Sequence, residues 1–208
     1  MRIEKTNIFD EWADSINELA IKSNGRALSE SLGKVLPFKV KKKGNKAYFA
    51  TFDLDITAGE RAGQKITFKV TIDKTAPYNV ESDYGKVRSK FNYLMFNSTV
   101  GGYGMADLPG HTGMYVLNTV ARIVLNFANE ASPAGIHFTA AESPTSDDGV
   151  GHKDSRRKAY RALAMMLQKD SGTVNITKKS AMINGSFFLM RKDLFESWQD
   201  AVNTNATT

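Results

Sequence analysis

The spacing of apolar positions along the chain changes period twice. Behind a capping Asp10, Trp12, Ile16, Leu19 and Ala20 fall at i, i+4, i+7 and i+8, which is the spacing of one helix face, and Gly25 marks the end of that helix. A second helical stretch puts Leu28, Leu32, Val35 and Leu36 on one side and stops at Pro37, because proline disfavours helical geometry in the residue before it. The period then falls to two. Tyr48, Phe49, Phe52, Leu54 and Ile56 crowd a stretch of strand formers, and Ile66, Phe68, Val70 and Ile72 alternate with Lys65, Thr67, Lys69, Thr71 and Asp73. The alternation predicts two strands, and the segment 57–63, with Gly59 and Gly63, predicts an antiparallel hairpin between them. A third strand is expected over 91–98. Phe91, Tyr93 and Met95 lie on one of its faces and Leu94 and Phe96 on the other, so it belongs at the centre of a covered sheet.

The second half returns to helical spacing. Val116, Val120, Ile123 and Phe127 follow i, i+4, i+7, i+11 within 112–129, and Leu117, Ala121, Val124 and Ala128 widen that face, so this helix packs deeply. A short strand over 135–140 follows, then a helix over 155–167 with Tyr160, Leu163, Ala164 and Leu167 on one side. A strand, a helix and a strand in that order form a crossover, which implies a parallel pair. Strands near 174–178 and 186–191 close the sheet, and 193–202 can form a terminal helix. The expectation is an α+β chain with a mixed central sheet, an antiparallel meander followed by one parallel crossover.

Composition sets limits on the chemistry. At 208 residues with 41% hydrophobic and 24% charged positions, the chain is the size of one domain with its own core. We read 1–36 as an N-terminal helical part, 46–192 as the mixed-sheet core, 1–202 together as a single domain, and 203–208 as a tail of disordered composition. With no cysteine there is no disulfide framework, thiolate metal site or cysteine nucleophile. The start MRIEKTNIFDEW carries no apolar signal stretch, and no window approaches a membrane span, which predicts a soluble, cytoplasmic protein without a membrane partner. The motifs HExxH, GxSxG and GxxxxGK[ST] do not occur, and the histidines at 111, 137 and 152 have no metal-ligand spacing, so no metal is expected. A net charge of +6 favours acidic partners without choosing among them.

The order of elements, with LPGHTGMYVLNTVARIVLNF (108–127), GIHFTA (135–140) and SRRKAYRALA (155–164), resembles the GNAT N-acetyltransferase fold, and most of all the divergent GNAT-like proteins of bacteriophages. The resemblance spans roughly 46–192, with the two initial helices fitting loosely. It implies acetyl-CoA as cofactor, held where the strand before the central helix parts from the strand after it, with the pantetheine arm paired to exposed backbone. On this chain that places cofactor contacts at Asn97 and Ser98 and at the turn Gly110, His111, Thr112, Gly113 and Met114. The orphan N–H groups of a helix start and the helix dipole make an anion site there. The family's usual turn carries Gln or Arg, two residues, Gly, one residue, then Gly or Ala. This chain has Pro109-Gly110-His111-Thr112-Gly113, without the Arg or Gln and with its glycines three apart.

Tyr160 falls where the family often carries the tyrosine that protonates the departing thiolate. A phenol of pKa about 10 beside a thiol of pKa about 8.5 can supply that proton, and the same residue also lies on the apolar face of its helix. For the proton lost by an attacking amine, Asp53, Asp55, Asp107, His137 and Glu142 are the candidates, unranked. Two basic clusters stand out: Lys39, Lys41, Lys42, Lys43 and Lys46 before the first strand, read as a solvated turn, and Lys153, Arg156, Arg157, Lys158 and Arg161 at the start of the second crossover helix. The second cluster opposes the helix dipole. It is balanced either by Asp147, Asp148 and Asp154 or by an anion such as the 3′-phosphate of CoA, a phosphorylated partner or a nucleic acid. The segment 142–154 is long for a crossover loop and reads as a lid, a partner-binding loop or a disordered stretch.

The reading placed first is an acyl-CoA-dependent N-acyltransferase, if active, acting on an amine of a small molecule or a protein. The alternative is a catalytically inactive GNAT-like scaffold, used as a virion component or as a binder of a host protein. The host cytoplasm or the virion would be its location if it is phage-encoded. Nucleic-acid binding through the basic clusters is the third reading, and salt-sensitive binding would distinguish it.

Overall fold

The computed structural model describes residues 34–43, 47–57, 62–98, 112–139, 151–178 and 185–206. Among these, seven strands form one sheet: β1 (Phe38–Lys43), β2 (Ala47–Asp55), β3 (Lys65–Ser82), β4 (Gly85–Ser98), β5 (Gly135–Thr139), β6 (Thr173–Asn175) and β7 (Ser186–Arg191). Their spatial order is β1-β2-β3-β4-β5-β7-β6. Every pairing is antiparallel except β4 with β5. The expected α+β class is therefore observed, an open and mostly antiparallel mixed sheet with one parallel crossover. Among the described residues three helices accompany it: α1 (Thr112–Ala131), α2 (Gly151–Asp170) and α3 (Lys192–Ala206).

Alternation of side chains along each strand divides the core into two. Ala50, Phe52 and Leu54 of β2, Ile66, Phe68, Val70 and Ile72 of β3, and Ile136 and Phe138 of β5 are buried with α1 and α2 on one face. The intervening residues of β7, Phe188 and Met190, face the other way with Val80, Val87, Phe91 and Phe195 of α3. Phe187 and Leu189 return to the first face. The period of two thus builds two cores from one strand. α1 has no acidic residue in its first turn and no basic one in its last, so its stability comes from burial. Val116, Leu117, Val120, Ala121, Ile123 and Val124 are all fully enclosed, and each large aliphatic among them is worth about 1.5–3 kcal/mol.

The structure corrects several expectations. The lysine run is not a turn: Phe38–Lys43 is an edge strand, paired from Phe38↔Phe52 to Lys43↔Ala47. Lys39 and Lys41 are exposed there, and charged side chains on an edge discourage pairing with another chain. The hairpin of β3 and β4 extends far beyond 66–72 and 91–98. It closes at Ser82↔Gly85, where Ser82 Oγ donates to the Gly85 carbonyl at 2.7 Å and Gly85 takes φ +118°. A bulge between Asp73 and Thr75 shifts the alternation by one and hides the strand's continuation through Pro77. Residues 34–37 are not helical. The Leu36 N–H donates instead to Thr119 Oγ1 of α1 at 2.9 Å, and that hydroxyl donates to the Tyr115 carbonyl at 2.6 Å. The remainder of the two expected N-terminal helices lies outside the described residues. At the other end α3 runs to Ala206, so 203–206 are helical rather than part of a tail. The helix expected from 155 begins at Gly151, which shortens the long crossover loop. None of the helices among the described residues is long and apolar enough to cross a membrane.

Candidate functional site

The one parallel contact is also the shortest one in the sheet's middle. β4 and β5 pair only at Asn92↔Ile136 and Tyr93↔His137, although β4 continues to Ser98 and β5 to Thr139. On its other side β4 stays paired to β3 as far as Phe68↔Ser98. Among the described residues, the β5-facing edge of residues 94–98 therefore makes no ladder with β5. The opening lies at the carboxyl ends of both strands, where ligands of open sheets with crossovers bind.

Tyr160 of α2 stands behind this opening. Its ring stacks on Phe96 of β4 at 5.5 Å and tilts against Phe138 of β5 at 5.9 Å. Both partners lie beyond the last paired residues, so the tyrosine bridges the strands where the ladder has ended. It is half-buried, and apolar spacing on α2 accounts for that placement: Leu163, Ala164 and Leu167 of the same face are fully buried.

Of the other residues singled out in the sequence, Asn97 is exposed and Ser98 half-buried at the end of β4. Thr112 and Met114 are half-buried and Gly113 buried in the first turn of α1. The crossover brings that turn to the end of the sheet at which β4 stops, since α1 must return antiparallel to β4 before β5 runs parallel to it. Gly110, His111, Asp107 and Glu142 lie outside the described residues. Asp53 and Asp55 are not part of the site. They sit on β2, exposed, with Asp53 accepting a bond from Thr67 Oγ1 at 2.7 Å and Asp55 3.8 Å from Lys65. Arg161 is exposed. Lys153, Arg156, Arg157 and Lys158 belong to α2, while Lys46 and the acidic residues Asp147 and Asp148 lie outside the described residues.

His137 is the candidate proton acceptor that the fold does bring to the opening. It is 8% exposed, and its ring stacks flat on Phe188 at 4.0 Å with Tyr78 at 4.9 Å and Tyr93 at 5.2 Å. Burial among these rings lowers its pKa from the usual 6.5 to about 4, because an imidazolium loses its hydration there. The neutral ring is hydrogen-bonded through Nε2 to Thr139 Oγ1 at 3.1 Å, and Thr139 Oγ1 to Ser186 Oγ at 3.3 Å. These hydroxyls carry a polar path from a buried ring towards the end of β5. His137 Nδ1 is buried without a hydrogen-bond partner, and so is Asp73 Oδ1 two strands away. Orphaned groups of this kind cost about 1–3 kcal/mol each. Asp73 was invisible as a site residue in the sequence, where it reads only as the polar end of an alternating strand. Thr139 and Ser186 were missed for the same reason, and only the pairing of β5 with β7 reveals them.

Among the described residues no three His, Cys, Asp or Glu side chains converge as metal ligands. Comparison with known proteins adds no relative: no protein family, curated protein or solved structure matches this chain. The fold and site therefore define the class by themselves, an α+β mixed sheet whose central strands part around a tyrosine.

Proposed function

We propose that the chain is a GNAT-like acyl-CoA-dependent N-acyltransferase acting on an amine of a small molecule or a protein. The observation that carries this reading is the two-residue parallel ladder of β4 and β5, with Tyr160 set between Phe96 and Phe138 just past its end. Donor residues suited to acyl-CoA accompany it. The end of β4 at Asn97 and Ser98 lies beyond its ladder with β5, where an amide-bearing arm would pair. The start of α1 at Thr112, Gly113 and Met114 offers N–H groups and the positive end of a dipole to a pyrophosphate. Acyl-CoA, when bound, would supply an activated thioester. The chain's own part is then to hold the reacting carbonyl beside β4, to exclude water with the Phe96, Phe138 and Tyr160 rings, and to deliver the Tyr160 phenolic proton to a departing thiolate.

Isothermal titration with acetyl-CoA and CoA tests this, with Thr112→Glu as the partner variant. A carboxylate at the first residue of α1 suits the helix dipole yet repels a pyrophosphate. Micromolar binding by the parent chain and its loss in Thr112→Glu support the reading. Tyr160→Phe then keeps the affinity while slowing transfer about 10²- to 10⁴-fold. Absence of binding at millimolar cofactor sinks the transferase and leaves a GNAT-like scaffold without acyl-CoA.

A further inference from the structure

Paired residues of neighbouring strands share a face and stand about 5 Å apart. The pairings Asp73↔Tyr93, Tyr93↔His137 and His137↔Phe188 therefore set four side chains in one row across the sheet, on the face turned away from α1 and α2. The row crosses the sheet's two irregularities, the bulge after Asp73 and the short ladder of β4 and β5. Bulges re-aim side chains and gather near binding sites. At one end of the row Asp73 is half-buried with Oδ1 shielded and without a hydrogen bond. Among the described residues no cation pairs with it. Towards the other end, next to Phe188, His137 is more than nine-tenths buried and leaves Nδ1 unpartnered. Between them lies the half-buried ring of Tyr93, with the exposed Met95 beyond it on the same face.

We propose that this row is a binding site for an organic ammonium ion, with the Asp73 carboxylate as counter-ion, the Tyr93 ring as the wall under the cation and His137 as the closing polar wall. An ionised carboxylate only accepts hydrogen bonds, so its partner must be a donor, and a cation over a tyrosine face is favoured electrostatically. An anion is excluded by Asp73, and a neutral alcohol leaves the half-buried charge unanswered. Resting on the transferase reading, the row narrows the acceptor to a cationic amine; the binding itself does not depend on that reading.

The test is calorimetric titration of the full chain with 2-phenylethylammonium, 2-phenylethanol and phenylacetate. The ammonium should bind at least tenfold more tightly than the other two. Asp73→Asn should remove that preference, while Asp53→Asn, the same change of charge on β2, should leave it intact. Should Asp73→Asn fail to fold, Tyr93→Leu keeps the charge, removes the ring and should weaken the ammonium several-fold. Equal affinity for all three probes, no ammonium binding at millimolar concentration, or a preference that survives Asp73→Asn and Tyr93→Leu would each overturn the site. Titration with acetyl-CoA separates the two proposals. Ammonium binding without cofactor binding removes the transferase and keeps this site, and cofactor binding without ammonium binding does the reverse.

Discussion

His137→Phe should alter how the stability of the fold depends on pH. In the folded chain the imidazole takes up its proton only near pH 4, because burial against Phe188, Tyr78 and Tyr93 opposes the charge. In the unfolded chain it does so near 6.5. Above pH 6.5 both states are neutral and the group contributes no pH dependence. Between 6.5 and about 4 the unfolded state binds more protons, so stability falls as pH falls, by up to about 1.4 kcal/mol per pH unit. The full window amounts to about 3 kcal/mol, a substantial share of the roughly 5–15 kcal/mol that holds a domain together. Below pH 4 both states are charged and the loss stops. Phenylalanine keeps the stack on Phe188, removes the unpartnered Nδ1 and gives up the bond to Thr139, so the two chains should be close in stability at pH 7.5. Urea unfolding followed by circular dichroism at pH 7.5, 6.5, 5.5 and 4.5 measures the difference, and carboxylates common to both chains cancel from it. The variant should gain about 2–3 kcal/mol on its parent across that series. Parallel curves would mean that His137 charges freely in the folded state, and the argument from burial would be wrong.

Gly135→Ala should be costly although its backbone is unstrained. A Cβ there would stand 2.5 Å from the Phe91 ring and 2.6 Å from the Leu189 carbonyl, and that carbonyl is fixed by the pairing of β5 with β7; overpacking of this kind costs about 1–3 kcal/mol, seen as a lower Tm by calorimetry. Thr119→Val strands the buried Leu36 N–H and should cost about 1–3 kcal/mol in chemical denaturation, whereas Thr119→Ser keeps the acceptor and recovers most of it. Tyr160→Ala removes two ring contacts and should destabilise by about 2–4 kcal/mol. Tyr160→Phe keeps both ring contacts and should retain most of that stability in the same denaturation experiment.

Periodicity made the central elements legible. The four-fold apolar rows of α1, the alternation of 66–72 and the five residues of β5 each have one reading because one face must be buried. The elements that escaped are those in which another demand breaks the pattern. β1 contributes few apolar positions, Phe38 and Val40 among lysines, because an edge strand favours charge over burial. β3 runs through Lys74, an extra residue with no partner on β4, so residues 75–82 fall out of phase with 65–73. Tyr160 could be placed at the opening only through the resemblance, since its spacing on α2 says core with equal force; the structure packs its ring on Phe96 and Phe138. Asp73, Thr139 and Ser186 belong to no local motif. Their meeting depends on which strands become neighbours, and that is a long-range property.

The parting of β4 from β5 is a built feature of the sheet rather than fraying at strand ends. Below the ladder the two strands are locked, since Gly135 has no side chain and the Phe91 ring lies directly against it, itself packed on Phe188 and Tyr78. Above the ladder Phe96 and Phe138 turn to the α1 and α2 face, and both pack on the Tyr160 ring. A glycine just before the two paired residues lets the strands touch there, and the Tyr160 ring covers the side chains where the ladder has ended. The same arrangement faces His137 and Tyr93 to the opposite side of the sheet from Tyr160. On the two proposals above, an amine beside Tyr93 and a thioester past the end of the ladder would approach one another from opposite faces of the sheet.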